Sequence, residues 1–131
     1  MISYHRALLV IGVAFVSAAA SPIRCLADCN QPTSTAEESA CAQANADEAA
    51  RKMERAFNRA LAAAEKMVAD GVKIDFPSRI RQSQTQWEQW KETQCNLEAD
   101  LTMGTAGAVV LPECRERLTI QRTKSLSKLA G

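Results

Sequence analysis

Residues 84–95 read QTQWEQWKETQC, two tryptophans three apart with a cysteine close behind, in a chain that has one Tyr and three Phe. A three-residue step is close to one helical turn, so Trp87 and Trp90 share a helix face. Outward from the pair, Ile80, Gln94, Leu97 and Leu101 extend that face, while Arg81, Gln82, Glu88, Gln89, Lys91 and Glu92 fall between. The period is helical, without the two-residue alternation of a half-buried strand. Pro77-Ser78 supplies the start, because proline is tolerated in a first turn. Paired indoles can form a ligand platform, but at this spacing they are read as core, each able to bury about 150–250 Å². Trp87, Trp90, Leu97 and Leu101 are therefore expected inside.

Toward the N-terminus, Thr35-Ala36-Glu37-Glu38 has the form of a capping box between Thr35 and Glu38. From there to Ala69 the chain is rich in strong helix formers and free of Gly and Pro. Cys41, Ala49, Met53, Ala56, Phe57 and Ala60 begin an apolar stripe at mostly three- and four-residue steps, with Met53 and Phe57 as its large members. Asp70-Gly71 ends it, Gly71 suiting the left-handed position after a helix. Toward the C-terminus, TMGTAGAVVLPE (102–113) reads as a flexible connection marked by Gly104, Gly107 and Pro112. A third helix follows, with Leu118, Ile120, Leu126 and Leu129 as its apolar residues. The expected fold is all-α: a small disulfide-stapled helical hairpin plus a shorter third helix, resembling a three-helix bundle.

Residues 1–27 stand apart. Arg6 lies in a short basic start, and ALLVIGVAFVSAAA (7–20) is uncharged and too short to cross a ~30 Å hydrocarbon layer. This is the pattern of a cleaved secretory signal. Cleavage fits after Ala20 or after Ala27; the second removes Cys25 and leaves an even four cysteines, so 28–131 is preferred as the mature single domain. No later stretch is apolar enough for a membrane span, and an exported, periplasmic or secreted protein is expected.

Cys29, Cys41, Cys95 and Cys114 contain no Cys-x-x-Cys pair, and the only histidine, His5, lies in the signal segment. Zinc and haem attachment are thereby disfavoured, and no cofactor or metal is expected. Two structural disulfides are the remaining reading. Four cysteines allow three pairings, and a down-and-back path favours Cys29–Cys41 with Cys95–Cys114. Without histidine, a Ser-His or Cys-His nucleophile cannot be assembled, and neighbouring carboxylates such as Glu37/Glu38 point in different directions; no catalytic residue is expected.

Over 28–131 there are 14 Lys+Arg and 15 Asp+Glu, a net charge of −1 that offers no general attraction to nucleic acid. The distribution is uneven. Residues 28–50 carry Asp28, Glu37, Glu38, Asp47 and Glu48 without a cation, whereas 115–131 carry Arg115, Arg117, Arg122, Lys124 and Lys128 against Glu116 alone. Helix dipoles account for such a pattern, and so does partner docking.

SQTQWEQWKETQC (83–95), Cys114, LTIQRTKSL (118–126) and the opening DCNQPTSTAEESAC (28–41) together resemble the N-terminal domain of the LprI-like lysozyme-inhibitor family. Gln84, Trp87, Cys95, Cys114 and Arg122 carry the resemblance most specifically. It implies inhibition of a muramidase that would otherwise cut peptidoglycan, by protein–protein contact. No inhibitory residue carries over with it. Two stretches present themselves: the Met103–Leu111 loop and the acidic end at 28–48, the latter suited to basic lysozymes. The competing reading is an exported helical module that binds or stabilises another envelope protein.

Overall fold

The computed structural model describes residues 29–131, so the expected signal segment and both cleavage points lie outside the described residues. Three helices, α1 (Thr35–Ala69), α2 (Phe76–Leu101) and α3 (Gly107–Leu129), account for most of it, with one 3₁₀ turn at Gly104–Ala106. Among the described residues no strand forms. The all-α, disulfide-stapled bundle is the architecture its sequence implies.

The cap of α1 sits one residue earlier than expected. Ser34 has the extended backbone of an N-cap (φ −149°, ψ 156°), and its Oγ accepts from the Glu37 N–H at 3.3 Å. Glu37 Oε2 in turn accepts from the N–H and hydroxyl of Thr33 at 2.6 and 2.7 Å. STAEE fits the capping pattern in two registers, and only backbone geometry separates them. At the far end Gly71 (φ 101°) donates to Val68 O and Val72 donates to Met67 O, the paired bonds of a Schellman termination. Asp75 caps α2, accepting from Ser78 N at 3.1 Å, with Pro77 in the first turn.

Contacts along the helices set the topology. Arg81 pairs with Glu65 and Gln84 lies by Met53, while Cys95 bonds Cys114 and Gln84 bonds Arg122, so α2 is antiparallel to both neighbours. α1 and α3 therefore run parallel. Ala42, Ala46, Ala49, Met53, Ala56 and Ala60 are buried along α1 at alternating steps of four and three, a heptad-like seam of mostly small side chains. That seam lets α3 lie close, and α1–α3 is the most extensive interface in the molecule while α1–α2 is slight. The third helix is thus the central packing partner and not an appendage to an α1–α2 hairpin.

α3 also begins earlier than the Gly and Pro residues imply. Gly107 opens it where an added Cβ would lie 2.9 Å from Ala99 O, so only glycine permits this approach to the end of α2. Pro112 lies inside the helix. Its missing N–H would leave Ala108 O without the usual partner four residues on. The Ser39 hydroxyl of α1 donates to that oxygen at 2.8 Å, so a side chain from the neighbouring helix replaces the lost backbone bond. Replacing Ser39 by alanine is expected to cost about 1 kcal/mol in urea denaturation, and about nothing in a Pro112→Ala background, where the helix supplies its own donor.

Two clusters form the core. Met53, Ala56 and Leu126 pack with Phe57, and Cys95, Cys114 and Leu118 pack with Leu111; half-buried Trp87 touches both. Trp90, Leu97 and Leu101, expected in the core, are instead 51, 52 and 74% exposed. The Cys95–Cys114 disulfide fixes the rotation of α2 so that the line through Gln84, Trp87, Lys91 and Cys95 faces inward. At 3.6 residues per turn, Trp90, Leu97 and Leu101 lie more than about 100° round the helix from Cys95.

Candidate partner-binding surface

The residues that carried the family resemblance converge on the α2–α3 seam. Arg122 Nε donates to Gln84 Oε1 at 2.9 Å and its Nη2 to Ser83 Oγ at 3.0 Å. Gln84 Nε2 donates to Glu88 Oε1 at 2.9 Å and lies 3.5 Å from Met53 Sδ. Two cations flank the Trp87 indole, Lys91 Nζ at 5.0 Å and Arg122 Cζ at 5.7 Å from the ring centre. Lys91 is held by Glu88 at 2.6 Å. Burial pushes the Arg122 guanidinium below its ordinary value, opposed by the nearby Glu88 carboxylate. Every polar group here is engaged with another part of the chain, and the arrangement locks α2 to α3.

One surface that these contacts leave unengaged lies at a pole of the bundle. Because α1 and α3 are parallel, the acidic end of α1, the start of α3 and the connection leaving α2 meet there; the two stretches read separately in the sequence are one place. Cys29–Cys41 (S–S 2.00 Å) ties the N-terminal segment to α1, and Cys95–Cys114 (2.04 Å) ties α2 to α3 just below the connection. The expected Met103–Leu111 loop is shorter than its glycines imply: only Thr102–Ala106 lies between the two α-helices, and from Gly107 onward it is helix. Met103 projects from it at 91% exposure, beside Leu101.

At the same end of the bundle a cleft of about 350 Å³ opens between α1 and α3, with Glu38, Asn45, Glu113 and Glu116 among its lining. It continues along the same helices past Glu48, Lys52 and Ile120. The carboxylates of Glu38, Glu113 and Glu116 have no ion-pair or hydrogen-bond partner among the described residues. Lys52, which lines that continuation, is paired with Glu48 at 2.6 Å, which lowers the Glu48 carboxyl through that hydrogen bond and charge. Arg115 and Arg117 turn instead to α2. The Glu98 carboxyl is lowered first by the Gln94 amide and then by Arg117, so it too stays ionised.

The groove is therefore negative along its length. Its carboxylates do not converge: among the described residues, no three His, Cys, Asp or Glu side chains are placed to hold a metal ion. Glu113 and Glu116 were not singled out from the sequence. Their i, i+3 spacing was visible, but their meeting with Glu38 required the parallel packing of α1 on α3.

The chain belongs to the family described as lysozyme inhibitor LprI, whose model matches residues 25–126. No curated protein and no solved structure matches it.

Proposed function

We propose that the protein is exported to the periplasm or beyond, after cleavage at Ala27, and inhibits lysozyme-like muramidases by docking its acidic pole on them. The family supports the class of partner. Two disulfides support an oxidising compartment, where such bonds persist. The observation that carries the choice of surface is the set of unpartnered carboxylates Glu38, Glu113 and Glu116 lining one cleft, at the same end of the bundle as the exposed Leu101 and Met103.

An apolar anchor with a charged surround is how effective interfaces are built. Lysozymes are commonly basic, so the acidic groove would speed encounter while the anchor slows release. Because the pole is assembled from three helix ends and two disulfides, little ordering entropy is lost on docking. No part of this mechanism requires bond making, and the protein acts as an inhibitor and not as an enzyme.

The test is a titration of the oxidised protein, purified from the periplasm of an expressing host, into a basic lysozyme acting on bacterial cell walls. Dose-dependent loss of lysis that weakens as salt rises is the expected result. A folded protein that leaves several lysozyme types untouched would instead make it an envelope module of another kind.

A further inference from the structure

The opposite pole, where α1 and α3 end and α2 begins, has the reverse character. Met67, Val68, Ile74 and Leu129 are 45, 41, 43 and 57% exposed. Met67 and Leu129, with Ala64, Phe76 and Ile80, line a depression of about 180 Å³. Around them stand Lys73 in the α1–α2 turn, Arg79 in the first turns of α2 and Lys128 in the last turn of α3. None of the three has an ion-pair partner among the described residues. The carboxylates at this end are occupied, Asp70 by Lys66 at 2.7 Å and Asp75 by the cap of α2.

We propose that this apolar, basic pole docks on an anionic phospholipid surface, with Ile74 and Leu129 entering the headgroup boundary and Lys73, Arg79 and Lys128 meeting the phosphates. The combination of apolar side chains with a basic surround is what interfacial binding requires. Charge argues against a basic protein and against a second copy joined basic pole to basic pole, where like charges would meet. An enclosed small ligand is disfavoured by size, since pockets for such ligands are about 300–1,000 Å³. Docking this way also turns the acidic pole, which an anionic surface repels, away from the membrane and toward soluble partners.

Co-sedimentation of the exported protein with vesicles tests the assignment without reference to lysozyme. Binding is expected to mixed phosphatidylglycerol–phosphatidylcholine vesicles, to fall as salt rises, and to be absent with phosphatidylcholine alone. Lys73→Gln with Lys128→Gln should weaken partitioning about 25-fold, taking each cation as worth roughly fivefold. Leu129→Ser should weaken it even at low salt, while Glu113→Lys with Glu116→Lys should leave it at least as strong. All these side chains lie at the surface, and unchanged helix content by circular dichroism confirms the fold of each variant. No sedimentation with anionic vesicles would overturn the proposal. Equal binding to neutral vesicles, or variants at the basic pole that bind like the parent, would overturn it as well.

Discussion

Replacing Cys95 and Cys114 together by alanine is expected to lower stability by about 3 kcal/mol, and to drop the melting temperature by roughly 12–24 °C. The bond closes a separation of 19 residues, and the unfolded chain gains the corresponding freedom when it is lost. Its consequences are also structural. Both residues are essentially inaccessible, Cys95 at 0% and Cys114 at 2%, and they share a cluster with Leu118, against which Trp87 packs. The disulfide also sets the rotation of α2, so its loss frees the face carrying Trp90 and Leu97 to compete for the interior. Removing Cys29 and Cys41 should cost less, because that bond spans 12 residues and ties down an exposed N-terminal segment. Thermal unfolding followed by circular dichroism orders the two. A smaller effect at Cys95–Cys114 than at Cys29–Cys41 would contradict this view of where the bundle is held.

The two tryptophans should behave very differently despite standing one turn apart. Trp87→Ala is expected to cost about 3–5 kcal/mol, because the indole packs against both core clusters and lies beneath two cations. Part of that loss comes from Lys91 and Arg122, which would keep their charges without the ring. Trp90→Ala, half exposed and outside both clusters, should cost under about 1 kcal/mol. Urea denaturation of both variants decides the matter, and equal losses would place Trp90 in the core after all.

That contrast marks where the sequence stops being legible. Composition, the Gly71 stop and the Pro77-Ser78 start were enough for the long helices, because capping chemistry and propensity act locally. The α1 seam was legible for the same reason: its alanines and Met53 repeat at helical steps whatever they face. What could not be read was rotation and partnership. The apolar residues of α2 occupy a wider arc than the bundle buries, and only the disulfide to α3 decides that Trp87 turns in and Trp90 turns out. Pro112 misled in a different way. A proline ordinarily argues against a helix interior, and the compensation comes from Ser39 on another helix, 69 residues upstream of the freed Ala108 carbonyl. No local pattern could reveal that bond.

The candidate surface was half visible. The acidic run at 28–48 and the Met103–Leu111 loop were each apparent as separate stretches, and the basic segment 115–131 was plain from charge alone. Their arrangement into opposite poles follows from α1 and α3 being parallel, a property of topology and not of any motif. The parallel packing adds Glu113 and Glu116 to Glu38, and it gathers Lys73 and Lys128 at the far end. A chain of near-neutral total charge thereby acquires a strong charge asymmetry along its axis.

The most direct measurement is the cell-wall lysis titration run on three proteins side by side: the parent, Glu113→Lys with Glu116→Lys, and Lys73→Gln with Lys128→Gln. Inhibition by the parent and by the Lys73/Lys128 variant, with at least a tenfold loss for the Glu113/Glu116 variant, is the predicted result; each reversed charge at the rim need contribute only about 0.7 kcal/mol for that loss. Equal inhibition by all three, or inhibition lost only with the basic pole, would contradict the assignment of the acidic pole as the inhibitory surface.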